Sequence, residues 1–390
     1  MTPPARIAAA ITILDHVLAG TPAEAALTGW ARASRFAGSG DRAAVRDLVF
    51  QALRRRDSLA RLGGGLSGRG LMLGMLRDSG AAAEAVFTGQ GHAPGPLSTD
   101  EQAALAAGPA GEPPHDLPGW IWPAWQKSLG DRAGAVAAAM GGRAPVWLRV
   151  NLRRGDVAQA RATLEAEGVT TDPHPALTTA LRVTGGERRI AASAAYRDGL
   201  VELQDLSPQL ACAALPLSEG ARVLDYCAGG GGKALALASR ADLHLTAHDA
   251  APARMGDLPA RAARAGVRIQ LSPPAPLGRD YDLVVADVPC SGSGTWRRTP
   301  DAKWRLRPAD LDDLLVVQRD ILARTAELTA AGGRLAYMTC SVLDAENAGQ
   351  IDSFLAARPD FALEHQQSWT PLDASDGFFL ALMRRGAGSD

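Results

Sequence analysis

The sequence predicts an α/β fold in three parts: an all-helical domain over residues 1–140, a small α+β module over 141–199, and a doubly wound parallel sheet over 200–390. Three observations lead to this prediction. Apolar residues recur at helical spacing near the N-terminus, a strand-like stretch and an amphipathic helix follow residue 144, and strand-like and helix-like stretches alternate from about residue 200 onward.

The first part is helical because its apolar residues repeat with the helical period over 5–18 and again over 41–56. Asp41 is the expected N-cap of the second helix. Arginines outnumber acidic residues in the first 80 positions, although the whole chain has a formal net charge of −1. This local excess is compatible with a polyanionic partner, and a solvated helical face explains it equally well.

The second part begins with a strand-like alternation over 146–152, and an amphipathic helix over 155–167 ends at Gly168. Polar side chains along this strand form an edge that could meet a phosphate backbone: Arg149, Asn151, Arg153 and Arg154.

The third part alternates strands with helices, the pattern of a parallel sheet covered on both faces. Its predicted strands lie at 221–226, 243–248, 267–271, 281–286 and 334–339, with the last two at 361–365 and 377–383. The clearest helices are 308–330 and 343–357.

Several classes of protein are excluded by composition. No apolar run approaches the roughly 18 residues of a membrane span, and the N-terminus lacks a secretory signal. The four cysteines are too far apart for a zinc site or a disulfide scaffold: Cys212, Cys227, Cys290 and Cys340. We expect no membrane partner, no metal, a reducing cytoplasmic setting and a monomer.

A glycine-rich turn follows the first strand of the sheet, where residues 222–233 read Arg-Val-Leu-Asp-Tyr-Cys-Ala-Gly-Gly-Gly-Gly-Lys. Asp249 ends the next strand, where an acid can accept hydrogen bonds from ribose hydroxyls. Together they predict an adenosine-containing cofactor. Because the G-x-G-x-x-G phasing is missing and Asp225 precedes the glycines, S-adenosylmethionine is favoured over NAD.

Two cysteines follow later strands of the same sheet. Asp287-Val-Pro-Cys290 comes directly after the fourth strand, and Thr339-Cys340-Ser341 comes after the fifth. Since ligands of a doubly wound sheet lie at the carboxyl ends of its strands, these residues and the two earlier acids are expected on one rim. Two structural cysteines at such positions, beside an acid, are less plausible than a shared chemical task.

These residues resemble the Sun/NSun family of RNA cytosine-C5 methyltransferases, specifically its RsmB-like branch, which methylates 16S ribosomal RNA. The segment from Asp287 to Asp301 is similar to the Asp-Ala-Pro-Cys-Ser motif with its downstream Arg-Arg-x-Pro-Asp, and Thr339-Cys-Ser with Glu346-Asn347 is similar to Thr-Cys-Ser...Glu-Glu-Asn. The resemblance implies a Rossmann-like seven-stranded methyltransferase domain, a small RNA-binding module and a NusB-like helical RNA-binding domain.

The resemblance also implies roles for individual residues. Cys340 is the nucleophile that adds to C6 of cytosine, Cys290 assists the later elimination, and Asp287 holds N3 or the exocyclic amine. The target base leaves any helix to reach the pocket. The residues implied in binding S-adenosylmethionine are Asp225, Cys227, Ala228, Gly229, Gly230, Gly231, Gly232, Lys233, Asp249, Arg254 and Asp287.

The segment after the Pro-Cys motif combines basic and aromatic residues, a combination suited to a single-stranded or flipped nucleotide. The RNA-binding residues predicted there are Arg297, Arg298, Lys303 and Trp304. The alternative is that Trp296 and Trp304 are core anchors while the arginines face water.

The sequence departs from the family pattern in two places. Gly229 and Gly230 stand where the family has Ala-Pro, which makes the turn more flexible. The family's acid for the adenine, expected after the third strand, is missing from 271–276, and the next acid is Asp280. Ser272 or a backbone group is a possible substitute.

The leading hypothesis is therefore methylation of a cytosine in ribosomal RNA, with transfer RNA as the alternative substrate. A DNA cytosine methyltransferase would instead use Cys290 as its nucleophile. The competing hypothesis from another class is a non-catalytic RNA-binding assembly factor that retains the fold. A NAD-dependent enzyme is the least favoured, because hydride transfer gives the two cysteines no shared task.

Overall fold

The computed structural model describes residues 1–109, 111–272 and 277–387, which divide into two units. The first unit is Met1–Arg143 together with Thr295–Arg307, and the second is Ala144–Gly294 together with Pro308–Asp390. The chain thus returns to its first unit for a short segment within the C-terminal half.

The first unit is built from helices: α1 (Pro3–Leu18), α2 (Ala23–Ala33), α3 (Ser39–Arg54), α4 (Arg56–Gly63), α5 (Gly68–Asp78), α6 (Thr99–Ala107), α7 (Trp122–Leu129) and α8 (Ala133–Met140). The apolar faces of α1, α2, α3 and α5 form one core. Helices α4 and α5 pack closely at Gly74, which has no Cβ. A Cβ there would collide with the backbone carbonyl of Leu59. The helical prediction for this part is confirmed.

Asp41 does not cap α3, which begins two residues earlier with Gly38 as its N-cap. Its carboxylate instead accepts hydrogen bonds from the N-terminal ammonium group at 3.0 Å and from Nε of Arg6 at 2.9 Å. The N-cap prediction is wrong because α3 begins before Asp41, whose carboxylate pairs with the charged donors of Met1 and Arg6.

The second unit opens with a small α+β module: β1 (Trp147–Val150), α9 (Val157–Ala166), β2 (Thr170–His174), β3 (Leu177–Gly185), α10 (Ala194–Arg197) and β4 (Val201–Leu203). Within the described residues its strands form an antiparallel sheet in the order β2-β3-β1-β4. The side chain of Asp156 caps α9 by accepting from the N–H of Gln159 at 2.7 Å.

The large sheet follows with the elements α11 (Leu206–Ala214), β5 (Arg222–Asp225), α12 (Gly232–Ala238), β6 (His244–Ala247), α13 (Leu258–Ala265), β7 (Gln270–Leu271), β8 (Tyr281–Asp287), α14 (Pro300–Arg305), α15 (Pro308–Leu328), β9 (Thr329–Thr339), α16 (Ala348–Ala357), β10 (Phe361–Trp369) and β11 (Phe378–Arg385). Of these, α14 lies in the segment that belongs to the first unit.

Seven strands of the described chain pair in the order β10-β11-β9-β8-β5-β6-β7. The run from β9 to β7 is parallel, and β10 and β11 are antiparallel. Val223, Leu283 and Ala336 lie in one apolar layer, and Leu224, Val284 and Tyr337 lie in another. This alternation buries both faces of the sheet and confirms the doubly wound, Rossmann-like prediction.

The third strand of the sheet is shorter than predicted, with pairing limited to Gln270 and Leu271. The N–H of Val267 is used at the C-terminal end of α13, where it donates to the carbonyl of Ala262 at 3.1 Å. The start of the predicted strand is therefore part of the helix cap, which Gly266 completes in the left-handed conformation.

The polar edge predicted to meet a phosphate backbone has other partners. Asn151 donates to the carbonyls of Gly199 at 3.0 Å and Ala265 at 2.8 Å, and Arg153 donates to the carbonyl of Ala238 at 2.6 Å. Arg149 and Arg154 likewise donate within the second unit. The buried Arg149 and Asn151 thus join the module to the large sheet rather than facing a phosphate backbone, and the phosphate prediction stays a prediction for the exposed Arg153 and Arg154.

In the part of the chain that the structure describes, no helix has both the length and the apolar character needed to cross a bilayer.

Candidate active site

The candidate site lies at the carboxyl ends of four neighbouring parallel strands. β5 ends at Asp225, β6 is followed by Asp249, β8 ends at Asp287, and β9 is followed by Cys340. Because parallel strands end at the same edge of a sheet, the order β9-β8-β5-β6 aligns these residues along one rim. The structure thus brings together the acids and cysteines that the sequence predicts there.

The glycine-rich turn requires glycine at two positions, since Gly229 has a φ of 51° and Gly231 has a φ of 78°. Gly231 is the N-cap of α12, and a Cβ there would collide with the side chain of Leu258. The turn is held by Asp249, whose Oδ2 accepts from the N–H of Gly229 at 2.9 Å. The same turn contains the predicted cofactor residues Cys227, Ala228, Gly230 and Gly232.

Asp225 is fully buried at the end of β5. Its Oδ2 accepts from the N–H of Ala234 in α12 at 3.1 Å, whereas its buried Oδ1 has no hydrogen-bond partner among the residues that the structure describes. Burial raises the pKa of this carboxyl to about 7, with the Asp287 charge adding to the shift and the Lys233 charge opposing it. A buried acceptor of this kind is poised for a donor from a bound molecule.

Asp249 is buried and braced on both sides. Its Oδ1 accepts from the N–H of Ala251 at 2.9 Å, and its Oδ2 lies 3.3 Å from the guanidinium group of Arg254, a side chain that is largely exposed. A carboxylate has about four lone-pair positions, so both oxygens keep acceptor capacity toward a ligand.

These residues fit the adenosine-containing cofactor that the sequence predicts. The orphaned Oδ1 of Asp225, the turn with its two positive φ values and the remaining acceptor capacity of Asp249 provide suitable positions for donors of the ligand. The substitute predicted for the adenine acid involves Ser272, whose N–H donates to the carbonyl of Ala247 at 2.9 Å. Residues 273–276 of that predicted region lie outside the described residues.

Lys233 and Asp287 form an ion pair between the start of α12 and the end of β8. Burial by itself lowers the pKa of Lys233, but attraction to the Asp287 carboxylate more than offsets it and the pKa is raised. The charge of a Cys340 thiolate contributes in the same direction. The ammonium group therefore stays charged beside the cysteine pair.

Cys290 and Cys340 face each other with their Sγ atoms 3.4 Å apart, and both are half-buried. The pKa of Cys290 is raised well above its ordinary value by the hydrogen bond to Cys340, then by burial, then by the charges of Cys340 and Glu346. Cys290 therefore keeps its proton. The two predicted catalytic thiols have distinct environments, with the positive charge of Lys233 influencing Cys340 and the negative charge of Glu346 influencing Cys290.

Among the described residues, the other two cysteines lack a thiol partner of this kind. Burial raises the pKa of Cys212, within α11, to about 12, and it also raises the pKa of Cys227 in the glycine turn. Both thiols are therefore kept protonated. The described residues contain no group of three or more His, Cys, Asp or Glu side chains that could hold a metal ion.

The residues predicted to bind RNA lie in the segment 295–307 of the first unit. Lys303 is 1% exposed, and its Nζ donates to the carbonyls of Arg54 at 2.8 Å and Asp116 at 2.6 Å. Trp304 donates from its indole N–H to the carbonyl of Leu53 at 2.7 Å. These two side chains help to build the first unit, a role that sequence reasoning did not foresee for Lys303.

The alternative prediction, that the tryptophans are core anchors, holds for Trp296. This side chain is buried and stacks on Trp125 at a centroid distance of 5.9 Å. Arg297 is also buried, and its backbone carbonyl accepts from Nε of Arg54 at 2.6 Å. Arg298 is exposed. Of the four predicted RNA-binding residues, Arg298 thus displays its charge to solvent.

Sequence reasoning missed two features of the rim. Tyr226 and His248 stack at 4.7 Å, and the ring Nδ1 of His248 lies 2.8 Å from the carbonyl oxygen of Tyr226. Glu346 was noted only as part of a motif, yet it accepts hydrogen bonds from both cysteine-bearing loops. The sequence contains a signal for Glu346, because each of the two rim cysteines is followed directly by a serine, and two hydroxyl donors need an acceptor.

Comparison with known families gives two matches along the chain. Residues 212–384 match the family described as 16S rRNA methyltransferase RsmB/F, and residues 117–188 match the ferredoxin-like domain of RsmF/B-like methyltransferases. The first match covers the large sheet with its rim, and the second covers most of the small module.

Curated relatives agree with this family. The chain is 33% identical over 293 residues to ribosomal RNA small subunit methyltransferase B of Xanthomonas campestris, which covers 68% of this chain and 67% of the relative. It is 36% identical over 285 residues to the protein of the same name from Xylella fastidiosa. This match covers 67% of this chain and 66% of the relative. The matches thus span about two thirds of each relative.

Solved structures share the fold. The crystal structure of PH0851 matches with a TM-score of 0.76 and 21% identity over 99% of both chains. NSun6 from Pyrococcus horikoshii, solved with SFG, matches with a TM-score of 0.61 and 16% identity over 69% of this chain and 98% of the other.

Proposed function

We propose, from the premise that this chain belongs to the 16S rRNA methyltransferase RsmB/F family, that it transfers a methyl group to C5 of a cytosine in ribosomal RNA. The observation that supports this most directly is the pair of thiols 3.4 Å apart at the rim of the sheet, beside the Lys233–Asp287 ion pair. Two thiols in this arrangement suit a reaction that needs one sulfur for attack and a second group for release.

In this proposal S-adenosylmethionine supplies an electrophilic methyl group from a site on the glycine-rich turn. Asp225 accepts a donor of the ligand through its orphaned Oδ1, and Asp249 accepts from the ribose hydroxyls. Arg254 braces Asp249 from the solvent side. Lys233 and Asp287 close the inner end of the site next to the cysteines.

Cys340 acts as the nucleophile. Its thiolate forms a bond to C6 of the cytosine, and the electron pair of the C5–C6 double bond makes C5 nucleophilic enough to take the methyl group. The charge of Lys233 favours this thiolate. In this proposal Asp287 holds N3 or the exocyclic amine as charge builds up in the ring.

Cys290 serves the release step. Loss of the C5 proton to water restores the C5–C6 double bond and breaks the C6–S bond, and the Cys290 thiol, 3.4 Å away, donates its proton to the departing sulfur of Cys340. The hydrogen bond to Cys340 and burial raise the pKa of Cys290, so this thiol retains a proton for the release step. The target nucleotide leaves any helix to reach the two cysteines.

The first prediction tests the assignment of the two thiols. With small-subunit RNA and S-adenosylmethionine, Cys290→Ala is expected to accumulate a covalent RNA adduct because the elimination is impaired. Cys340→Ala is expected to form no adduct and to lose methyl transfer by at least about 10³-fold, since the covalent route is gone. The measurements are denaturing gel electrophoresis of labelled RNA and transfer from labelled cofactor.

An adduct that forms in Cys340→Ala but not in Cys290→Ala would reverse the assignment and favour the DNA-type mechanism. Normal methyl transfer by Cys340→Ala would refute the proposal. Cys212→Ala is a matched control, because this buried thiol lies within α11 and has no chemical role in the proposal.

The substrate is identified by bisulfite sequencing of ribosomal and transfer RNA from a strain that lacks the protein. Loss of a protected cytosine in 16S ribosomal RNA supports the proposal. Loss of one in transfer RNA supports the alternative substrate, and binding of RNA without any methyl transfer by the purified protein would support the assembly-factor hypothesis.

A further inference from the structure

The two cysteine-bearing loops share one buried acceptor, the carboxylate of Glu346. From the loop after β8, Ser291 donates its backbone N–H to Oε1 at 2.8 Å and its hydroxyl to Oε2 at 2.5 Å. From the loop after β9, Ser341 donates its hydroxyl to Oε2 at 2.5 Å. Each of these serines directly follows one of the two rim cysteines, so one carboxylate holds both cysteine positions.

Glu346 is itself held firmly. It is fully buried, and its Oε1 accepts a further hydrogen bond from Nε2 of Gln318 in α15 at 3.0 Å. Its backbone carbonyl accepts from the hydroxyl of Tyr337 in β9 at 2.7 Å. The carboxylate therefore receives two donors on each oxygen, and it is anchored to the sheet and to a covering helix.

The hydroxyls around Glu346 require a hydrogen-bond acceptor at this position, because they donate to it. The hydroxyl of Ser341 already accepts from the N–H of Leu343 at 3.0 Å and contacts the hydroxyl of Ser293 at 2.8 Å. The hydroxyl of Ser293 in turn accepts from the N–H of Val342 at 3.0 Å. A carboxamide would direct N–H groups toward hydroxyls that already receive donors, which makes Gln a poor substitute for Glu here.

We propose that Glu346 is a positioning residue that ties the Cys290 loop to the Cys340 loop and so sets the distance between the two thiols. The inference rests on the proposed function for its catalytic meaning, although the geometry it concerns is measurable without RNA. The loops also meet at one backbone hydrogen bond, from the N–H of Gly294 to the carbonyl of Cys340 at 2.9 Å. Next to the sulfurs, Glu346 adds hydrogen bonds to both loops beside the contact between the hydroxyls of Ser293 and Ser341.

The first arm of the test measures the distance between the thiols through their oxidation. Diamide takes up the two electrons and two protons that leave Cys290 and Cys340 as the S–S bond forms, and peptide mapping identifies the pair. We expect Glu346→Ala and Glu346→Gln to form this disulfide about tenfold more slowly than the parent protein, because the sulfurs lose their fixed proximity.

The second arm measures catalysis. We expect kcat for RNA methylation to fall about 10- to 100-fold in both variants, while the Kd for S-adenosylmethionine stays within about twofold. Ser291→Ala and Ser341→Ala each remove one hydrogen bond to Oε2, and their kcat values should fall between those of the parent and Glu346→Ala. Glu327→Gln is the matched control, because this Glu forms an ion pair on the exposed end of α15.

Disulfide formation and kcat at parental values in Glu346→Ala would overturn the inference. A parallel loss of kcat, cofactor binding and thermal stability would also overturn it, since Glu346 would then serve the fold alone. If the parent protein methylates no RNA, the proposed function fails, and the diamide arm still decides whether Glu346 sets the thiol distance.

Discussion

At the scale of single residues, Asp225 shows how a site departs from the arrangement that is best for stability. Its carboxylate is fully buried, one oxygen has no hydrogen-bond partner within the described part of the chain, and its pKa is raised to about 7 chiefly by burial. An uncompensated buried acceptor costs free energy in the unliganded protein. It is therefore best explained as a group that awaits a donor from the cofactor.

The prediction for this residue concerns Asp225→Asn. The amide can still accept from Ala234, but it turns an N–H donor toward the position of the orphaned oxygen. We expect the Kd for S-adenosylmethionine to rise about tenfold, the cost of one mismatched hydrogen bond. Calorimetric titration measures this, and Asp242→Asn is the control because that side chain is largely exposed.

The same substitution has a pH dependence with a definite sign. The carboxyl has a pKa of about 7 in the folded protein and about 3.9 when unfolded, so the folded state binds more protons between these values. The free energy of unfolding of the parent protein should fall relative to Asp225→Asn as pH rises from 4 to 7, by at most about 1.4 kcal/mol per pH unit. Urea unfolding at several pH values tests this, and a flat difference would contradict it.

Lys303 is the opposite case at the residue scale, since a side chain predicted to bind RNA is committed to the interior. Its ammonium group donates to two backbone carbonyls, and burial lowers its pKa to about 7. Basic and aromatic residues in alternation have the same sequence pattern whether they face a nucleic acid or one another. The fold distinguishes these two cases, because it brings the backbone carbonyls of Arg54 and Asp116 to the ammonium group of Lys303.

At the scale of elements, the start of α12 is the part of the site that local geometry controls most. The turn before it needs left-handed backbone at Gly231, and Leu258 of α13 packs against the position a Cβ would occupy. Backbone conformation and helix packing therefore both require glycine at this position. This turn carries the backbone toward the proposed cofactor.

The prediction for this element compares two glycines with nearly equal φ. Gly220→Ala, at a φ of 75° with no neighbour within 4 Å, should cost about 1 kcal/mol of stability from the strained backbone. Gly231→Ala, at a φ of 78°, should cost more because the new methyl group displaces Leu258, and it should also weaken cofactor binding. Urea unfolding and calorimetric titration give the two values, and equal effects in both variants would contradict the argument.

At the scale of the whole molecule, the chain builds its first unit from two distant stretches. Residues 295–307 contribute Trp296, Lys303 and Trp304 to the interior of a unit whose other residues lie before residue 144. Asp301 adds a hydrogen bond from the N–H of Ala23 at 3.3 Å. The segment after the Pro-Cys loop is thus a structural part of the N-terminal half.

The prediction at this scale is that a fragment of residues 1–143 is incomplete. A synthetic peptide of residues 295–307 should bind it and raise its thermal midpoint, with about 2.7 kcal/mol gained when the peptide is present at 100 times its Kd. The same peptide with Trp296→Ala should bind more weakly, because the stack on Trp125 is lost. A midpoint that is unchanged by the parent peptide would show that the segment is dispensable.

Much of the fold and of the site was predictable from the sequence, for a local reason. Helical and strand periodicity, the glycine turn and the acids at strand ends are short-range patterns, and a parallel sheet collects strand ends on one edge whatever the packing details. The rim of Asp225, Asp249, Asp287, Cys290 and Cys340 follows from these rules alone. The helical character of the first part and the strand–helix alternation of the last part follow from the same rules, whereas the domain boundaries stay a prediction.

The tertiary structure alone decided what depends on partners far apart in the chain. Glu346 accepts a hydrogen bond from Ser291, which is 55 residues away in the sequence, and Lys303 donates one to a backbone carbonyl 249 residues away. Periodicity contains no information about such pairings, because a buried carboxylate or a buried amine has the same sequence neighbours as an exposed one. The sequence by itself therefore determined which residues form the rim, and the folded chain determined which of the polar residues around it face solvent and which hold the structure together.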